Sequence, residues 1–225
     1  MKNIILGITL FSFPLFASAK LNLVSELLIG KAQNNVHSTF LTEKLEGYYT
    51  ASLQSDSFGF RLGTNVNEYL SFELAKHKHG DTMNEVKIPV QNLPGMPNSS
   101  GPVYSYSEID VKIPMELESI RLGVKGKIDL FTNTSINTRF GVANWKYDNF
   151  TPRHLLNLRR SSGDKERGND FYYAIGAEYK FNESFYLGFE YSLLKINERI
   201  KDKSFMYGSY THDVKDLSLV LGWAF

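Results

Sequence analysis

Residues 171–193 read FYYAIGAEYKFNESFYLGFEYSL. Phe171, Tyr173, Ile175, Ala177, Tyr179 and Phe181 take one set of alternate positions; Tyr172, Ala174, Gly176, Glu178 and Lys180 take the other. After Asn182-Glu183-Ser184, Phe185, Leu187, Phe189, Tyr191 and Leu193 alternate with Tyr186, Gly188, Glu190 and Ser192. A period of two is that of a strand, and three intervening residues suit a tight hairpin. One face is bulky and apolar, the other small or polar.

The same pattern runs through the rest of the chain. Leu217, Leu219, Leu221, Trp223 and Phe225 oppose Asp216, Ser218, Val220, Gly222 and Ala224. Phe58, Phe60, Leu62 and Thr64 oppose Gly59, Arg61 and Gly63, and Leu70, Phe72 and Leu74 oppose Ser71, Glu73 and Ala75. Ile120, Leu122 and Val124 precede a connection, and Ile136, Thr138, Phe140 and Val142 follow it. A less regular strand spans about 20–32. Eight strands result, each near the 9–11 residues that cross a bilayer at a tilt. The connections fall at about 33–55, 65–68, 80–110, 127–134, 149–168, 182–184 and 200–212, alternately long and short. No apolar run after residue 19 reaches the roughly 18 residues of a membrane helix. Strands survive in lipid only when closed into a barrel. The expected fold is therefore an all-β, eight-stranded antiparallel up-and-down transmembrane barrel with long extracellular loops, short periplasmic turns and both termini periplasmic.

Residues 1–19, with Lys2, the apolar stretch Ile4–Phe16 and the small residues Ala17-Ser18-Ala19, have the form of a cleaved secretory signal, leaving 20–225 as the barrel domain. The whole chain carries 25 basic and 24 acidic side chains, so nothing favours nucleic acid as a partner. Without cysteine there is neither a disulfide framework nor a thiolate metal site. The 14% aromatic content fits girdles at the two membrane interfaces, expected from Tyr69, Trp145, Tyr147, Phe171, Tyr179, Phe181, Phe185, Tyr191, Trp223 and Phe225. One break in phase is visible: Glu116 and Glu118 share the apolar face of Ile120. Either they project above the hydrocarbon, with Pro114 just beyond the regular region, or a bulge near Ser119 resets the register; projection is the favoured reading.

Inward alternation predicts a lumen charge network of Glu26, Glu73, Glu178, Glu190 and Asp216 with Arg61, Arg121, Lys125, Arg139 and Lys180. An eight-stranded barrel is filled by its own side chains, so these charges are expected to pair and plug it, with Gly59, Gly63, Gly123, Gly141, Gly176, Gly188 and Gly222 leaving room for the long basic ones. A narrow channel for ions or small solutes is the alternative. His37, His77, His79, His154 and His212 all fall in or beside external segments and are expected to be solvent-exposed. His77 and His79 have only Asp81 near them as a further ligand, too few for a metal, and no cofactor is expected. Ser71, Glu73 and His77 form a thin basis for a lipid-modifying hydrolase; otherwise no enzymatic motif occurs, and the chain is expected not to be an enzyme. Tyr48, Tyr49, Tyr104, Tyr106, Arg153, Arg159 and Arg160 are the loop residues best suited to a partner such as lipopolysaccharide or a host or cell-surface ligand.

The chain resembles the OmpA-like outer-membrane barrel family. The resemblance rests on Leu-Gly-Val-Lys (122–125), Arg-Phe-Gly-Val-Ala-Asn-Trp-Lys-Tyr-Asp (139–148), 171–181, Leu-Gly-Phe-Glu-Tyr-Ser (187–192) and the closing 217–225. It implies a Gram-negative outer-membrane location and a salt-bridged lumen. It also implies an insertion signal at Leu221, Trp223 and Phe225, read by the outer-membrane assembly machinery, and adhesion- or colonisation-type roles through external loops. The periplasmic wall-binding domain of larger members is not expected, since the chain ends with its barrel.

Overall fold

The computed structural model describes residues 22–41, 45–92, 106–148, 167–202 and 206–225. Eight strands follow in order: β1 (Leu23–Leu41), β2 (Leu45–Asn65), β3 (Leu70–Asn92), β4 (Tyr106–Phe131), β5 (Thr134–Asp148), β6 (Arg167–Lys180), β7 (Phe185–Asp202) and β8 (Met206–Ala224). Each pairs antiparallel with its sequence neighbours, and β1 pairs with β8 from Val24↔Ala224 to Leu41↔Tyr207, closing the barrel.

The turns at one end are short. Asn67 Oδ1 accepts from the backbone N–H of Tyr69 and Leu70, each at 2.8 Å, and Asn182 Oδ1 accepts from Ser184 and Phe185 at 2.9 and 2.8 Å. Both asparagines thus stand in for a backbone acceptor. The turn expected over 127–134 shrinks to Thr132-Asn133, since β4 runs to Phe131.

The strands are far longer than a bilayer requires. β4 has 26 residues and β3 has 23, against about 10 needed for crossing. Much of what reads as long loops over 33–55, 80–110 and 200–212 is strand that continues beyond the membrane. The outward face shows where the membrane ends. Within the band it carries residues such as Ile29, Phe58, Leu74, Ile120, Val142, Phe189 and Leu217. Above the band the same face carries Lys31 paired with Asp56, and Glu118 at 3.4 Å from Lys76 and 3.6 Å from Lys146. Glu116 and Glu118 mark this edge. β4 passes through them with unbroken alternation, and through Pro114, which pairs with Met83 inside the strand rather than beyond it. The bulge lies on β3 instead, between Lys78 and Asp81.

Above the edge large apolar side chains join the inside. Val36, Leu117, Trp145, Tyr147, Leu194, Ile196 and Val214 are buried there. Trp145 and Tyr147 therefore do not join the interfacial girdle. They lie inside, ring to ring at 5.4 Å, because water rather than lipid surrounds this part of the barrel. The periplasmic girdle is present on the outside as a run of rings: Tyr179–Phe181 at 5.2 Å, Phe181–Phe185 at 5.6 Å and Phe185–Trp223 at 5.2 Å.

Val124, opposite Phe72 in the middle of the outward band, gives a test of the lipid-facing assignment. Val124→Arg is expected to cost about 2–4 kcal/mol, while Gln33→Arg, outward but above the band, changes stability by less than about 0.5 kcal/mol. Denaturant titration of protein folded in lipid vesicles reads both.

Candidate functional site: the barrel lumen

Inside the membrane band Glu26, Arg61, Glu73, Lys125, Arg139, Glu178 and Glu190 are all buried. The strand period alone brings them to one side; closure of the sheet brings them together. Glu26 sits at the centre and accepts from Arg61 Nη1 and Tyr186 OH, from Lys125 Nζ at 3.2 Å, and from Arg139 Nη2 at 3.0 and 3.2 Å. Arg61 also grips Glu190 with two nitrogens, at 3.0 and 2.7 Å, a bidentate arrangement that fixes both side chains. Arg139 donates Nε to Glu73 at 2.9 Å and Nη1 to Asn137, with Nη1 also 2.8 Å from Glu190. Lys125 reaches Glu178 at 2.5 Å. Four carboxylates thus share three cations, and the phenol of Tyr186 supplies the extra donor. Buried charges of this kind are tolerated only when paired and fully hydrogen-bonded.

Lys180 stays out of this network. It is half-exposed at the periplasmic mouth, where it lines a 450 Å³ vestibule with Lys127 and Glu178. Near the end of β6 its side chain reaches water sooner than an acid. The inward glycines seat rings more than basic side chains. A Cβ on Gly222 would come within 2.0 Å of the Tyr186 ring, one on Gly123 within 2.2 Å of the Tyr172 hydroxyl, and one on Gly59 within 2.3 Å of the His77 ring.

A second cluster lies higher, at and above the band's outer edge. Contrary to the exposed placement expected for them, His77, His79 and His212 are buried inside the barrel. The polar residues that flank them in sequence point out; the imidazoles, on the opposite parity, point in. His37 does remain exposed, with Nδ1 2.9 Å from Thr50 Oγ1, and His154 lies outside the described residues. Asp216 Oδ1 accepts from Ser57 at 2.9 Å and Ser218 at 2.6 Å, leaving Oδ2 for His79 Nδ1 at 3.2 Å. His79 Nε2 lies 2.9 Å from Ser119 Oγ and 3.1 Å from Arg121 Nη2. A guanidinium can only donate, so Nε2 is the acceptor and the ring is a neutral Nδ1–H tautomer. Arg121 also donates to Ser119 and Ser192, each at 3.3 Å, and stacks over Tyr172.

Above this, His212 donates Nε2–H to Asn34 Oδ1 at 3.0 Å and accepts at Nδ1 from Tyr147 OH at 2.5 Å. The Asn34 amide donates in turn to Ser55 Oγ at 2.9 Å, which fixes its orientation. His212 is therefore also neutral. Burial holds its pKa down to about 3. His79 is lowered by burial and by Arg121, and Asp216 opposes them.

Ser71, Glu73 and His77 do not meet as a catalytic triplet. Ser71 bonds Asn65, Glu73 bonds Arg139, and the carboxylate near His77 is Asp216. Asp81 is in β3, and its side chain is outside the described residues, as are those of Tyr48 and Tyr49 on β2 and Tyr106 on β4; Tyr104, Arg153, Arg159 and Arg160 are outside them altogether. Asp216 is legible in the sequence as an inward acid. Its histidine partners are not, because β3 and β8 face each other across the lumen and not through a strand pairing.

A closed eight-stranded barrel with a lipid-facing band and a charged lumen defines an integral outer-membrane protein. The chain belongs to the outer membrane protein beta-barrel domain family, matched over residues 9–225, and its place is the Gram-negative outer membrane, with the apolar band against lipid. Among solved structures it is similar to the outer membrane protein OprG of Pseudomonas aeruginosa (10% identity, 91% of this chain and 96% of that one, TM-score 0.53). It is also similar to the outer membrane protease OmpT of Escherichia coli (9% identity, 93% and 99%, TM-score 0.52). The attachment invasion locus protein Ail of Yersinia pestis aligns at 13% identity over 91% and 100%, with a TM-score of 0.43. The first two likenesses speak for the fold alone. A comparison with curated proteins gave no match.

Glu26→Ala removes the shared acceptor of three cations and is expected to cost about 3–5 kcal/mol. Lys180→Ala is expected to change stability by less than about 0.5 kcal/mol in the same vesicle unfolding titration. Stability also depends on pH through His212, whose pKa falls from 6.5 to about 3 on folding. Between these values the unfolded chain binds a proton that the folded chain excludes. Stability is full above the unfolded pKa and drops as pH falls, by about 1.4 kcal/mol per unit from this group. Unfolding titrations between about pH 6 and 4.5 are expected to show a shallower slope for His212→Gln by that amount.

Proposed function

We propose that this protein is a closed, non-catalytic outer-membrane barrel that holds its outer loops well clear of the lipid surface for contact with a partner at the cell surface. The observation that carries the reading is the double filling of the lumen: paired charges within the membrane band and, above it, a packed layer of apolar and hydrogen-bonded polar side chains that includes Trp145, buried to 1% exposure. Both layers are filled by side chains among the described residues. The strand extensions support display, since β2, β3 and β4 continue for more residues outside the band than within it. Lipopolysaccharide or a host ligand would meet the outermost segments, where Tyr104, Arg153, Arg159 and Arg160 lie in sequence, with Tyr48, Tyr49 and Tyr106 on the strands leading there. In this reading residues 1–19 are removed on export, and Leu221, Trp223 and Phe225 present the insertion signal to the assembly machinery.

A hydrolase is the second reading, and one geometry favours it: the chain Ser119 Oγ, His79 Nε2 and Nδ1, Asp216 Oδ2, at 2.9 and 3.2 Å. Against it, Arg121 donates to the same Nε2 lone pair that would have to take the serine proton, and Ser119 is buried.

One preparation of the full chain separates display, channel and hydrolase. In planar bilayers it is expected to give no reproducible unitary steps at low voltage; steady steps would establish the channel. Cells displaying it are expected to adhere more than cells displaying an Arg153→Ala, Arg159→Ala, Arg160→Ala variant, and equal adherence of the two counts against the display role. Lipid mass spectra are expected to be the same with and without the protein; a shortened acyl chain that Ser119→Ala restores would make it an enzyme.

A further inference from the structure

The cluster of His77, His79 and Asp216 has more order than a plug requires. We infer that it is a binding site for a borderline transition-metal dication of the zinc class, with His77 Nε2, His79 Nδ1 and Asp216 Oδ2 as ligands. The three atoms lie within 4.8 Å of one another, with His77 Nε2 4.0 Å and His79 Nδ1 3.2 Å from the carboxylate oxygen. Donors on a tetrahedral ion with bonds of about 2.0–2.1 Å sit a little over 3 Å apart, so closure takes a shift of the His77 ring toward Asp216 and His79.

Several features point at a ligand and not at packing alone. His77 is buried to 3% exposure, and its Nε2 has no hydrogen-bond partner among the described residues. A buried nitrogen without a partner is costly, and a metal bond would satisfy it. Its ring lies directly over Gly59, where any Cβ would approach Nε2 to 2.6 Å, so that position admits the ring only as glycine. Asp216 is held by Ser57 and Ser218 through its other oxygen, which aims Oδ2 at both imidazoles. Orientation of a ligating carboxylate by outer hydrogen bonds is characteristic of metal sites. Two imidazoles and one carboxylate, with the fourth position open, make a donor set that zinc accepts.

Binding requires His79 to change tautomer. Nδ1 gives up its proton to take the metal, and Nε2 becomes the N–H, which Ser119 Oγ is placed to accept at 2.9 Å. Arg121 must then turn from Nε2 to its existing partners Ser119 and Ser192. Its positive charge opposes the ion. On the other side stand Asp216 and the network below, where four carboxylates meet three cations. The side of the barrel next to the cluster is open at one place. The described pairing of β2 with β3 stops between Gly47 and Phe58, and a cavity of 370 Å³ sits at this gap. It is lined by Ser55, Ser57 and Gly80, the last with φ 139° at the bulge that follows His79.

Calorimetric titration of the full chain, folded in phosphatidylcholine vesicles, with zinc ion is expected to show one ion per chain. His77→Gln should weaken it by more than the roughly 10- to 100-fold that loss of a supporting hydrogen bond costs, and His212→Gln should leave it unchanged. Because His77 Nε2 makes no hydrogen bond among the described residues, the variant is expected to fold, as judged by its heat-sensitive gel mobility. A second arm is independent of that: in a His37→Gln, His154→Gln chain, the two histidines outside the cluster and its neighbour His212 are gone and binding should persist, with cobalt(II) giving a tetrahedral visible band. Absence of binding overturns the site, as does binding that survives His77→Gln or disappears with His37 and His154.

Discussion

Everything in this barrel depends on a backbone that must satisfy its own hydrogen bonds inside hydrocarbon. Lipid offers no partner to a free N–H or C=O, so the sheet has to close, and the β1–β8 seam closes it. Closure with eight strands leaves an interior only wide enough for side chains. The inward residues then have nothing but each other to pair with. The sharing of Glu26 among Arg61, Lys125, Arg139 and Tyr186 follows from that confinement. In a wider barrel, water could solvate each charge separately.

The same strands serve two solvents. Within the band, apolar side chains point out and charges point in. A few residues higher on β1, β4, β5, β7 and β8 the polarity inverts, with Lys31, Glu118, Lys146, Lys195 and Lys215 outside and Val36, Leu117, Trp145, Ile196 and Val214 inside. On these five strands the alternation does not change at this level; the surroundings do. Outside the membrane the hydrophobic effect again favours an apolar interior, and the upper barrel is organised like a soluble one. The histidine–aspartate cluster sits at the junction, where a polar lumen gives way to an apolar core.

How much of this can be read from the residues differs by feature. The period of two places every transmembrane strand and chooses the inward set, because in a strand the direction of a side chain is fixed by its parity. Glu116 and Glu118 announce the membrane edge. Leu194, Ile196, Trp145 and Tyr147 are harder to read, since they change parity relative to the apolar residues below them. They pass for strand ends or interface rings because a hydrophobic residue looks the same whether it faces lipid or a core. Strand lengths escape the sequence for a related reason: polar outward residues above the band resemble a loop.

The sequence by itself determined the barrel, its strand count, its membrane location and, Lys180 excepted, the charges that face inward, since all of these follow from local alternation and from the absence of an alternative structure in lipid. Only the tertiary structure decided who meets whom. Glu26 and Arg139 are on strands that share no edge, as are His79 and Asp216, and their contact runs across the lumen. Such distances depend on how the whole cylinder closes, a property of the sheet that no single strand encodes.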